Sequence, residues 1–356
     1  MMMPESPGGK AEAALAALTD AIGRYPPEAH APGVPEALRD GLAGSELSRL
    51  LLTAELGGLG LTPAEAFDLI ERVARVSGAV GLQLAWLNLS FLLAWLAPEA
   101  RDRLMPQGDP PVVAGSVLAG GCREVTKDGD GWFLAGSWPS WTDPDRANLL
   151  IAGFWAATAA GASEPGVAFL PAPQAVPGFR VDRCRSLDGE FQVSIPRVRV
   201  PVNDTIRLEA TARPGPCPEA LILVLLAAVA TGVAGSAMES FIRLAAKKWR
   251  PALRCPLLED PVVAGRLRTA STRVAAAREL TLRELHRDQG QASDLAGAAL
   301  NAVAAAGSAI GSMFEMAGAR AVFRTDPLQG CLANLQVIRH HALLGGRVRG
   351  QRPGVA

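Results

Sequence analysis

Apolar positions follow a helical period over the first hundred or so residues, a strand-like texture over the next hundred, and a helical period again to the end. In 64–76, Ala66, Leu69, Ile70 and Val73 fall on one face of a 3.6-residue helix. Thr62-Pro63-Ala64-Glu65 predicts its start. Thr62 offers an oxygen to the orphan amides of the first turn, Pro63 has no amide to lose there, and Glu65 can reach back to close a capping box. The stretch 78–96 is apolar nearly all round and carries Trp86 and Trp95, which predicts a helix covered on most faces.

Short strands follow. Residues 112–117 are bounded by Pro and Gly, and Asp128-Gly129-Asp130-Gly131 is a turn between candidate strands 123–126 and 132–135. A further apolar strand is expected at 148–154, and 193–200 alternates before Pro201. Spacing of this kind suggests a small antiparallel barrel or sandwich. From Pro218 on, helices are expected at 219–248, 261–288, 293–317 and 327–344, with a loop at 249–256. Long helices with short connections make a bundle. The expected class is α+β, mostly α, in three domains: helical (1–109), β-barrel (110–212) and helical bundle (213–356).

Composition narrows this little. Apolar residues make up 49% and charged residues 20% of the 356, as in a packed globular protein. The formal net charge is zero, which gives no general reason to expect nucleic acid or an anionic membrane as partner. The five cysteines are scattered without a CxxC pair, so neither a zinc site nor a disulfide framework is expected, and a cytoplasmic location fits best. No secretory pattern is read in the first ten residues. The apolar run 220–235 is about 16 residues, short of the roughly 20 that a span needs, and is read as a buried helix.

Several motifs carry a family resemblance. Glu55-Leu56-Gly57-Gly58-Leu59-Gly60 precedes a helix, Val200-Pro201-Val202 ends a strand, and Pro256-Leu257 leads through Asp260-Pro261 into a long helix. Their order and spacing resemble the acyl-CoA dehydrogenase fold family over nearly the whole chain. Gly136-Ser137-Trp138-Pro139 and Phe323-Arg324-Thr325-Asp326-Pro327-Leu328-Gln329 resemble segments of that fold's flavin-dependent monooxygenase branch, and His341 falls where that branch carries a histidine.

The resemblance implies a flavin cofactor, FAD ahead of FMN and supplied reduced by a flavin reductase in some relatives. It also implies O₂ and a small organic substrate, an aromatic or a CoA thioester, oxidised through a flavin–oxygen adduct. A homo-oligomer, tetramer or dimer, is implied through the bundle faces. Carried onto this chain, Trp138 supplies a flat wall and Thr142 a hydrogen bond to the flavin ring. Arg250, Gly318, Arg324, Thr325 and Gln329 fall in cofactor-binding segments. His341 becomes the proton-handling residue, with Asn88 and Ser90 beside the substrate. Each has a plainer reading: a helix-terminal dipole partner for His341, barrel core for Trp138 and Trp141, a salt bridge for Arg324, and satisfied helix-interface groups for Asn88 and Ser90.

Two alternatives stay open. A dehydrogenase needs a base within reach of the proton alpha to a thioester, and the resemblance implies a glutamate in that role. The family's usual position corresponds to about Ala342, and no Asp or Glu occurs from Pro327 to the end. Glu219 is the rival base, about one turn early on its helix. The other alternative is a non-catalytic member of the fold. Thr142-Asp143-Pro144-Asp145 and Glu315-Met316-Ala317-Gly318 depart from the flavin-contacting patterns, and Glu315 stands where a phosphate would meet repulsion.

Overall fold

The computed structural model describes residues 6–25, 34–105, 109–157, 163–171, 175–186, 189–209, 215–250, 255–287 and 292–347, apart from the side chains of 184–186, 189, 190, 250, 292 and 342–347. Five helices come first: α1 (Pro7–Gly23), α2 (Glu36–Gly44), α3 (Pro63–Val76), α4 (Gly78–Leu87) and α5 (Pro98–Leu104). The capping box at α3 forms as the sequence predicts, with Thr62 Oγ1 accepting from Glu65 N and the Glu65 carboxylate accepting from Thr62 N at 2.8 Å. The predicted helix over 78–96 instead divides at Asn88. The α-helical part ends at Leu87 and continues as a 3₁₀ segment, Asn88–Trp95.

Eight strands then form two sheets: β1 (Val113–Ser116), β2 (Cys122–Asp128), β3 (Gly131–Ser140), β4 (Leu149–Ala157), β5 (Ser163–Pro171), β6 (Arg180–Ser186), β7 (Gly189–Pro201) and β8 (Thr205–Arg207). One sheet has the order β1-β4-β5-β8 and the other β2-β3-β7-β6. All pairs are antiparallel except β1 with β4, which run parallel, a departure from the wholly antiparallel expectation. The parallel pair is tight. Gly115 has φ +96°, and a Cβ there would lie 2.1 Å from the Ile151 carbonyl oxygen.

The bundle consists of α6 (Pro218–Lys247), the short hairpin β9 (Trp249–Arg250) and β10 (Cys255–Pro256), α7 (Pro261–Leu285), α8 (Ala292–Ala317) and α9 (Pro327–Arg347). Helix α6 is the axis of the molecule and packs against α3, α4, α8 and α9. Close approach to α3 depends on Gly232, where a Cβ would lie 2.3 Å from the Glu71 carbonyl oxygen. The predicted apolar run is longer than its 16 residues suggested. By length and composition alone, Gly78–Trp95, Pro218–Lys247 and Ser293–Val322 could each cross a membrane. In the fold, 83% of the first two windows is buried, so their apolarity makes the core.

Ion pairs tie the layers. Arg103 of α5 pairs with the buried Asp204 after β7, and Arg146 pairs with Asp40 of α2 at 2.9 Å. Arg278 of α7 reaches Glu71 at 2.6 Å and Asp68 at 3.0 Å on α3. Phe191 on β7 lies between the guanidinium groups of Arg39 and Arg183, at 5.4 and 5.5 Å from its ring centre.

Candidate active site

Helix α9 turns Leu328, Cys331, Leu335, Ile338 and His341 toward the core at steps of three or four residues. Its start is fixed by Asp326, whose Oδ1 accepts from Leu328 N at 3.0 Å. The same periodicity that buries Leu335 and Ile338 carries the imidazole of His341 inside, where it is 4% exposed. Trp86 of α4 meets it edge to face, with ring centres 4.6 Å apart and planes at 62°.

Four polar atoms in this region are buried without a hydrogen-bond partner: Nδ1 and Nε2 of His341, Nε1 of Trp86, and Oγ of Ser90 one turn further along the same segment. Such atoms cost about 1–3 kcal/mol each when left unpaired, so they are rare unless a ligand, water or ion meets them. Burial, helped by the charge on neighbouring His340, pushes the His341 pKa down to about 3. The ring is therefore neutral at ordinary pH, and its surroundings disfavour the protonated form. His340 is exposed, its ring centre 5.8 Å from that of His341.

Two expected site residues have other duties. Asn88 was expected beside the substrate, yet its side chain is fully used. Oδ1 accepts from Leu50 N at 2.7 Å, and Nδ2 donates to the carbonyls of Leu47 (2.8 Å) and Leu84 (2.9 Å). It clamps the 3₁₀ segment Glu46–Arg49 to α4. Trp138 was expected to face flavin. It is 0% exposed inside the barrel core, and its Nε1–H donates to the Gly153 carbonyl at 2.9 Å, so its ring is part of the barrel packing.

Thr142 follows β3 and is buried; its carbonyl accepts from the Ser140 hydroxyl at 2.7 Å. Beside it in the chain, Trp141 has a buried Nε1 without a partner. Arg324 and Thr325 are exposed just ahead of α9, and Gln329 in its first turn is half-buried. The first two also line a cleft of about 330 Å³ with Tyr25, Ser77 and Asn334. Gly318 has φ +70° at the end of α8, where the Lys248 amino group donates to the Ala317 carbonyl at 3.0 Å. Glu315 is paired with Arg266 at 2.7 Å, which offsets the expected repulsion of a phosphate. The side chain of Arg250 lies outside the described residues.

Sequence reasoning did not single out Trp86. A signal lay in its spacing, four residues before Ser90, which would share a side in an unbroken α-helix, whereas the α-helix ends at Leu87. It was masked because an aromatic in an all-apolar helix reads as core.

Chain-wide comparisons agree with the architecture. The family described as acyl-CoA dehydrogenase, C-terminal domain, matches residues 224–345. The 3-HSA hydroxylase from Rhodococcus sp. RHA1 is 18% identical, with 95% of this chain and 94% of that chain covered at a TM-score of 0.76. XiaF from Streptomyces sp., solved with FADH2 and glycerol, is 18% identical over 97% and 98%, with a TM-score of 0.74. Butyryl-CoA dehydrogenase from Megasphaera elsdenii is 17% identical over 98% and 99%, with a TM-score of 0.73. No curated protein matches the sequence. The chain has the acyl-CoA dehydrogenase fold, and the stretch that the family model matches lies in its bundle.

Proposed function

We propose that the protein is a flavin-dependent oxygenase acting on an organic small molecule, an aromatic or a CoA thioester. The observation that carries this reading is the buried, neutral imidazole of His341 on a helix with no carboxylate after Asp326. Abstraction of a proton alpha to a thioester asks for a base held within reach of that proton, and the resemblance implies a carboxylate in that role. Glu219, the rival base, is the second residue of α6, and its amide N–H donates to the Leu208 carbonyl at 3.0 Å. That is the position of a first-turn carboxylate serving the helix dipole.

The residues present suit a flavin. Arg324 and Thr325, exposed before α9, would hold a phosphate, and Thr142 would meet the ring edge. In its reduced form the bound cofactor supplies electrons for dioxygen activation. The chain's own residues do the rest. Trp86, Phe91 and Trp95 keep the segment apolar and exclude water. His341, neutral because burial disfavours its charged form, can hold a proton at a ring nitrogen only transiently during turnover and hands it on before the next cycle. FAD ahead of FMN, a reductase that delivers reduced flavin, and assembly into a homo-oligomer belong to the same proposal.

The test begins with the visible spectrum of purified protein and chromatography of any released flavin. Flavin-free protein is then offered photoreduced FAD or FMN with ¹⁸O₂ and a panel of aromatic and CoA-ester compounds. Label in a product is the expected result. Anaerobic bleaching of bound FAD by an acyl-CoA, abolished by Glu219→Gln, would establish a dehydrogenase instead. Failure to take up either flavin would point to a non-catalytic member of the fold.

A further inference from the structure

The oxygenase reading uses His341 and gives Trp86, the residue packed against it, only the part of keeping water out. Trp86 is 7% exposed and stands edge to face with the imidazole at 4.6 Å. Such a contact is worth about 0.5–1.5 kcal/mol beyond the area it buries, and it has a preferred geometry. Neither nitrogen of His341 is held by a hydrogen bond. Orientation of a functional imidazole ordinarily comes from a partner on its second nitrogen. Among the described residues neither ring nitrogen has such a partner, and of the two rings set against the imidazole, Trp86 at 4.6 Å and the exposed His340 at 5.8 Å, the buried indole is the one in close contact and fixes the plane. The Trp86 Nε1–H is itself buried without an acceptor. An indole nitrogen can only donate, whereas a neutral imidazole offers one donor and one acceptor.

We propose that Trp86 is a positioning residue for His341: its ring fixes the plane of the imidazole, and its N–H is a fixed donor that requires an acceptor atom on the group seated beside the pair. This rests on the reading that His341 lines the working site. The consequence is a division of labour within one contact. The indole ring acts before any ligand arrives, by limiting the imidazole to one orientation. The indole N–H acts only on the ligand, by selecting for an oxygen or unprotonated nitrogen. Ser90, with an equally unpartnered hydroxyl, can donate or accept and so imposes no such sign.

Nitrogen-15 histidine spectra of the full-length, flavin-free protein test this. There are four histidines, and the His341 signals are assigned by their loss in His341→Gln. Wild type is expected to show one neutral His341 tautomer that does not titrate between pH 5 and 8. Trp86→Phe keeps a ring and loses the donor, and is expected to retain that single species with displaced ring-proton shifts. Trp86→Leu loses the ring, and is expected to show line broadening or a second set of His341 signals. A Trp86→Leu spectrum identical to wild type would overturn the proposal. Should that variant not fold, unchanged His341 ring-proton shifts in Trp86→Phe would overturn it equally. Protein that takes up no flavin, yet shows these shifts, would sink the oxygenase reading while leaving the positioning role standing.

Discussion

The side-chain oxygen of Asn88 accepts the Leu50 amide proton at 2.7 Å, across 38 residues of chain and in the middle of an apolar layer. With the two bonds from its Nδ2 to Leu47 and Leu84, this joins the loop ahead of α3 to the point where α4 becomes 3₁₀. Asn88→Ala leaves the Leu50 amide and the Leu47 carbonyl without their partner in the interior, while the Leu84 carbonyl keeps the backbone N–H of residue 88. A loss of roughly 3 kcal/mol of unfolding free energy is expected, since each stranded group costs about 1–3 kcal/mol and water enters to meet some of them. Urea unfolding followed by far-UV circular dichroism checks it. A midpoint equal to wild type, with lost turnover, would restore Asn88 as a catalytic residue.

Glycines on the bundle helices separate into two kinds. At Gly232 a Cβ would meet the Glu71 carbonyl at 2.3 Å and Ala74 Cβ at 2.8 Å, all on the packed α3–α6 face. Gly232→Ala must push two core helices apart and is expected to cost about 1–3 kcal/mol. At Gly297 of α8 nothing lies within 4 Å of a built Cβ, and the residue is exposed. Gly297→Ala is expected to stabilise by about 0.5–1 kcal/mol, because alanine gives up less backbone freedom in a helix. Thermal melts of the pair should therefore move in opposite directions. Movement in the same direction would show that α6 does not press on α3 as described.

Arg324 offers the exposed cation ahead of α9. A charge-assisted hydrogen bond to a phosphate is worth about 1.5–3 kcal/mol, so Arg324→Gln should weaken FMN or FAD binding roughly 10- to 100-fold. The melting temperature should hardly change, since surface changes away from packed groups are usually neutral. Flavin fluorescence titration gives the affinity. Equal dissociation constants for variant and wild type would remove Arg324 from the cofactor site.

Much of this was legible in the sequence, for identifiable reasons. The capping box at Thr62 and Glu65 and the long helices α6 to α9 rest on local chemistry: caps, periodicity and proline. The expected span 219–248 is observed as Pro218–Lys247, and 261–288 as Pro261–Leu285. Strands β5, β6 and β8 were not anticipated. Their pairing is non-local, and β8 has three residues with no pattern of its own. At the site, the burial of His341 followed from its register on α9, but the fate of polar atoms did not. Whether the amide of Asn88 points to a ligand or to Leu50 depends on where a segment 38 residues away folds. Trp138 likewise met Gly153 on a strand of the other sheet and became barrel core.

His341 makes stability depend on pH in a way its own removal should cancel. The folded-state pKa is about 3, against 6.5 for an unperturbed histidine, because burial disfavours the charged ring. Below pH 6.5 the unfolded chain takes up a proton that the folded chain refuses. More protons bound in the unfolded state means that unfolding free energy rises with pH, so stability is lost as pH falls from about 6.5 toward 3. Between pH 7.5 and pH 5 the loss through this one group comes to about 2 kcal/mol. His341→Phe keeps an aromatic ring against Trp86 and has no proton to bind. Other groups titrate alike in both proteins, so the wild type should lose about 2 kcal/mol more than the variant over that interval, measured by urea unfolding at both pH values. Equal losses would mean that His341 reaches water in the folded state, and its role as a buried neutral base would fall with that result.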